Sequence, residues 1–167
     1  MEIVPVPDPS PSPEPAPIPD GPIFVVHGHD AGRLHETVRV LKEGTGRKVI
    51  VLHEQANAGR TILEKFEDHA GHVSFAVVLL TGDDEGGVRS SDNRSLRGRQ
   101  NVIFELGFFF GKLGRTRVAV LLESKVEKPS DIDGLVYIAL DKAGAWKYAL
   151  AKELEAAGIP VERSQIP

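Results

Sequence analysis

Five short runs of almost unbroken apolar residues set the strongest limit on the fold: Ile23–Val26, Val49–Leu52, Ser74–Leu80, Val118–Leu122 and Leu135–Ile138. Runs of this length, rich in Val, Ile and Leu and without polar alternation, read as strands buried on both faces. Helical periods separate them. Leu34, Val38 and Leu41 repeat at helical spacing over residues 31 to 43, with Asp30 placed to cap that helix and Gly44 and Gly46 to end it. A second helix is predicted from about Arg60 to Ala70, a third after the polar loop that ends at Arg97, and a last one over about Ala145 to Ala157. Strands alternating with helices imply a parallel sheet covered on both sides. The expectation is a single α/β domain, a five-stranded doubly wound parallel sheet in the flavodoxin-like order 2-1-3-4-5.

That order predicts where a ligand sits. Open α/β sheets bind beyond the carboxyl ends of their strands, where the winding reverses, here between strands one and three. Two segments leave those strands: His27-Gly28-His29-Asp30 and Thr81-Gly82-Asp83-Asp84-Glu85. Residues 81 to 97 read as a long polar loop. The helix that follows carries Glu105, the single charge in the run from Val102 to Phe110. A carboxylate among aliphatic and aromatic groups is costly to desolvate, and burial raises its pKa. The competing reading is structural: Asn101, Glu105 and Lys112 share one stripe of the helix, which would make Glu105 its wet edge.

The other polar residues admit several chemistries. His27 and His29 suit hydrogen bonding to a sugar or phosphate, with Gly28 allowing close approach; a metal or a plain turn are the alternatives. Asp83-Asp84-Glu85 fits a ribose contact or a solvated loop. A phosphoacceptor site is disfavoured, because strand one ends in a histidine and Glu123 stands after strand four without a lysine beside it. Arg89, Arg94, Arg97 and Arg99 suit a pyrophosphate or a neighbouring subunit, with a plain mobile loop as the alternative, and Arg99 ranks first for its nearness to Glu105. Neither a phosphate-binding loop nor a Gly-x-Gly-x-x-Gly fingerprint is present.

Composition closes off other classes. With no cysteine there is no disulfide, thiolate metal site or cysteine nucleophile, and a net charge of −4 offers no global attraction to nucleic acid. No apolar stretch spans a bilayer and no signal peptide opens the chain, so a cytoplasmic protein is expected. Nine of the twelve prolines fall in residues 1 to 22, an extended linker by composition. The domain is expected over residues 23 to 158, with a tail from 159 to 167.

Taken together, His27-Gly28-His29-Asp30, the segment His53-Glu54-Gln55-Ala56-Asn57-Ala58-Gly59-Arg60-Thr61-Ile62, the strand end Leu79-Leu80-Thr81-Gly82-Asp83-Asp84, and Arg99-Gln100-Asn101-Val102-Ile103-Phe104-Glu105-Leu106-Gly107 resemble the bacterial TIR-like domains. These are nucleotide-binding modules that serve as effectors in anti-phage signalling. The Gln-Asn-Val-x-x-Glu-Leu-Gly segment is the most specific part, and Asn101-Val102 stands where plant and animal branches carry Trp-Cys. The resemblance implies cleavage of NAD between nicotinamide and ribose, with Glu105 catalytic and NAD a substrate rather than a cofactor. Substrate contacts are then expected from His27, Gly28, His29, Asp30, Thr81, Gly82, Asp83, Arg99 and Asn101, with no metal. It also implies activation by self-assembly through the His53–Gly59 loop, under a sensor joined through the proline-rich segment. A non-catalytic assembly module and a nucleoside deoxyribosyltransferase-like enzyme are the alternatives.

Overall fold

The computed structural model describes residues 20–51, 72–87, 89–90, 92–129 and 135–167. Most of the proline-rich segment, the loop from His53 to Gly59, the helix expected over 60 to 70 and the Asp133-Gly134 turn lie outside those residues. Strands β1 (Ile23–Val26), β2 (Val49–Val51), β3 (Phe75–Leu80), β6 (Val118–Leu122) and β7 (Val136–Ala139) form one parallel sheet in the order β2-β1-β3-β6-β7. This is the predicted 2-1-3-4-5 arrangement. Ile23 pairs with Val49 and Phe75, Ala76 with Val118, and Ala119 with Val136. All six residues of β3 are buried, as the centre of such a sheet requires.

Alternation along the strands sends side chains to two faces. Ile23, Val25, Val77 and Leu121 pack with Leu34, Val40 and Leu41 of α1 (Ala31–Thr45) and with Trp146, Leu150 and Leu154 of α3 (Ala145–Ala156). Phe24, Val26, Val78 and Val120 pack with Val102, Leu106 and Phe109 of α2 (Gln100–Leu113). The rings of Phe24 and Phe109 meet at 5.4 Å between centroids, a tilted pair that fixes α2 over β1.

Caps set the helix limits. Asp30 Oδ1 accepts from Arg33 N–H at 2.9 Å, the predicted cap of α1. The helix runs two residues beyond the expected end and stops at Gly46, whose φ of 64° suits glycine. Gly44 is therefore inside the helix, not beyond it, and its carbonyl accepts from Glu162 N–H at 2.7 Å. The segment after Gly158 packs on the domain: Ile159 is fully buried and Val161 and Ile166 rest against the core. Asp141 caps α3 by accepting from Ala145 N–H at 3.1 Å and Trp146 N–H at 2.9 Å.

The polar stretch after β3 departs from the expected loop. It contains β4 (Asp84–Gly86) and β5 (Ser95–Arg97), an antiparallel ribbon with Asp84 opposite Arg97. Three-residue polar strands carry no apolar alternation, so period-based reading passes over them. The ribbon is held from outside itself. Leu96 bridges Val126, its carbonyl accepts from Glu127 N–H at 2.8 Å, and Arg97 makes a two-pronged pair with Glu127 at 2.8 and 3.1 Å.

Candidate functional site

The sequence of α2 inverts the usual partition at one step. Phe104 is 62% exposed, whereas Glu105 beside it is 1% exposed. Glu105 shares the inward face with Val102, Leu106, Phe109 and Leu113, while Asn101 and Lys112 face solvent. Glu105 is therefore not the wet edge of the helix. Neither carboxylate oxygen has a hydrogen-bond partner among the described residues. Burial pushes the Glu105 pKa up to about 7, and the Arg99 guanidinium pulls the other way. An unsatisfied buried carboxyl is expensive, and a ligand hydroxyl or a developing positive charge at that point would recover the cost.

The loops leaving β1 and β3 are joined by Asp83. Its Oδ1 accepts from His29 N–H at 3.0 Å and its Oδ2 from the Thr81 hydroxyl at 2.8 Å. A Cβ at residue 28 would lie 1.8 Å from Asp83 Oδ2, so the close approach that Gly28 allows is taken by this carboxylate. Asp83 thus clasps the switch point shut across 54 residues of chain. Gly82 N–H donates to Glu123 Oε2 at 2.8 Å, and Glu123 N–H donates to the Leu80 carbonyl at 3.0 Å. Sequence reasoning passed over Glu123 as a site-shaping residue. The available signal was its position directly after β6, beside the end of β3.

The remaining candidates separate by position. Thr81 and Gly28 are buried, His27 and Asp30 are half-buried, and His29 is exposed. Arg99 is half-buried at the start of α2, where no side chain caps the helix. Asn101 is exposed. Of the other arginines, Arg97 is engaged by Glu127, and Arg89 and Arg94 lie exposed. Among the described residues no group of three His, Asp or Glu side chains is arranged to hold a metal ion. None of the described helices is long and apolar enough to cross a membrane.

A cleft of about 650 Å³ opens between the ribbon and the start of α2, lined by Asp84, Arg97, Gln100, Ile103 and Glu127. It flanks the candidate site without including Glu105. Arg97 and Glu127 in its wall are paired with each other, whereas the Glu105 carboxyl has no such partner among the described residues.

The chain is 47% identical over 143 residues to the uncharacterized protein YuaY of Escherichia coli (strain K12), covering 86% of this chain and 48% of the relative. It is 32% identical over 126 residues to protein tirC of Dictyostelium discoideum, covering 70% of this chain and 62% of that protein. With the Pycsar effector protein PaPycTIR of Pseudomonas aeruginosa the identity is 39% over 84 residues, 48% of this chain and 26% of the relative. The chain thus spans about half to three fifths of the length of the first two relatives. The family model described as "CAP12/Pycsar effector protein, TIR domain" matches residues 22–142, which take in the sheet, the clasp at Asp83 and Glu105. The chain belongs to the CAP12/Pycsar effector TIR-domain family.

Proposed function

We propose that this domain cleaves NAD at the bond between nicotinamide and ribose, with Glu105 as the catalytic residue. The observation that carries the reading is the buried carboxyl of Glu105 on the inward face of α2, with no hydrogen-bond partner among the described residues. Nicotinamide in NAD is a cationic ring bonded through nitrogen. When the C1′–N bond breaks, the electron pair goes to the ring and nicotinamide leaves neutral, without an acid. The barrier lies in the positive charge left on the ribose. An ionised Glu105, in surroundings that screen little, stabilises that charge. Water then adds at C1′ and gives up a proton, leaving ADP-ribose; attack by an adenine nitrogen instead gives a cyclic product.

A pKa near 7 leaves about half of Glu105 ionised at neutrality, with Arg99 favouring the charged form. The family match and the relatives named as Pycsar effector proteins support an effector role in anti-phage signalling. In this proposal a sensor triggers self-assembly, and NAD loss follows. The exposed Phe104 favours a further, non-catalytic role of the same helix as a contact surface.

Chromatography of NAD incubated with concentrated protein tests the proposal. Nicotinamide release by the wild type, absent in Glu105→Gln, is the expected result. Equal release from both would remove Glu105 from the mechanism, and base exchange on free deoxynucleosides would point to the transferase alternative.

A further inference from the structure

We propose a second ligand site at the carboxyl ends of β6 and β7, built for a phosphate-bearing small molecule of nucleoside-diphosphate size. A cleft of about 580 Å³ lies there, lined by Arg33, Lys125, Lys128 and Lys142 with the carboxylates of Glu123 and Asp141. Its volume is that of a small-ligand site. The two carboxylates are already engaged by backbone: Glu123 accepts from Gly82 N–H, and Asp141 accepts from the first turn of α3. Arg33 is paired with Glu36 at 3.0 Å. Lys128 stands 5.0 Å from the centre of the Tyr137 ring, and Lys125 and Lys142 have neither an ion pair nor a hydrogen bond with any described residue. Four cationic side chains thus face two carboxylates around one concavity, and the lining carries more positive than negative charge in a chain of net charge −4.

The backbone supplies a second, independent observation. Val126 N–H donates to the Glu123 carbonyl at 3.3 Å, closing a four-residue turn whose third residue, Lys125, has φ 71°. That position favours glycine, and Lys125 is the one non-glycine residue with positive φ among the described residues. Strain of this kind marks places where a side chain is kept for use rather than for stability. Here it is an ammonium, the point charge that holds phosphate, and it rims the cleft. The carboxyl ends of the strands are also the side on which open α/β sheets take ligands.

Calorimetric titration of inorganic pyrophosphate and of ADP tests this without any turnover of NAD; because ADP is also a fragment of NAD, the lysine variants and not binding alone assign the site. Both probes are expected to bind the wild type and Glu105→Gln equally. Lys125→Gly and Lys142→Ala are each expected to weaken binding about tenfold or more. Lys125→Gly should also keep the wild-type melting temperature, since glycine adopts the turn freely. Tighter binding of ADP than of pyrophosphate assigns the nucleoside to the cleft as well; equal binding assigns the phosphates alone. Unchanged affinity in both lysine variants, no binding by the wild type at millimolar probe, or loss of binding in Glu105→Gln would each overturn the proposal.

Discussion

Asp83 and Glu105 are carboxylates on neighbouring parts of one domain, and they are treated in opposite ways. Asp83 sits in the loop after β3 with both oxygens satisfied, by the His29 N–H and the Thr81 hydroxyl, and glycine at 28 clears its path. Glu105 sits on the inward face of a helix with neither oxygen satisfied by any described residue. The first is a fastening. The second holds an unmet demand, and a fold retains such a group only where something else meets it. Residue type alone does not separate the two; hydrogen bonding does.

The sharpest way to break the contrast is to remove the demand. Glu105→Gln is expected to lower NAD loss by about two to three orders of magnitude, read as nicotinamide released, with the circular dichroism spectrum unchanged. Loss of fewer than a few-fold would make Glu105 as structural as Asp83.

Stability should respond to the same group with a definite sign. The folded pKa of Glu105, about 7, lies above its ordinary value of 4.5. The folded state therefore holds this proton more tightly than the unfolded state. Stability falls as pH rises from about 4.5 through 7, then levels off, a change of about 3 kcal/mol. Glu105→Gln is expected to melt above the wild type at pH 8, with the gap closing towards pH 5. A gap independent of pH would mean the carboxyl is not titrating in the fold. Activity should run the other way, rising through pH 7 as the carboxyl ionises.

The fastening can be cut from either side. Gly28→Ala and Asp83→Ala are each expected to cost about 1–3 kcal/mol in urea unfolding. The double variant should cost little more than either alone, because both remove the same clasp. Full additivity would show that the two residues act separately. A smaller effect is expected from Arg99→Met, which takes away the charge favouring the ionised form and should move the pH midpoint of NAD loss to the alkaline side. The smallest belongs to Glu127→Gln. Its pair with Arg97 is exposed on both sides, and the melting temperature should barely move.

What the sequence made legible were features carried by neighbours in the chain. Unbroken apolar runs predicted β1, β3 and β6 and their parallel order, and Asp30 was recognisable as a cap because capping spans only three residues. Glu105 stood out because its own helix is apolar. What stayed hidden depends on partners far away along the chain. The ribbon is stabilised through Val126 and Glu127, and Glu123 matters through Gly82, 41 residues earlier. Gly28 looks like room for a ligand until Asp83 is seen in that space. No local period encodes such pairs.

The adjacency of Phe104 and Glu105 has a mechanical meaning. Successive residues on a helix are turned by about 100°, and α2 is continuous from Gln100 to Leu113. The outer aromatic and the inner carboxyl are thus two teeth of one gear. Any contact that rolls the helix to shelter Phe104 sweeps Glu105 across the sheet by the same angle.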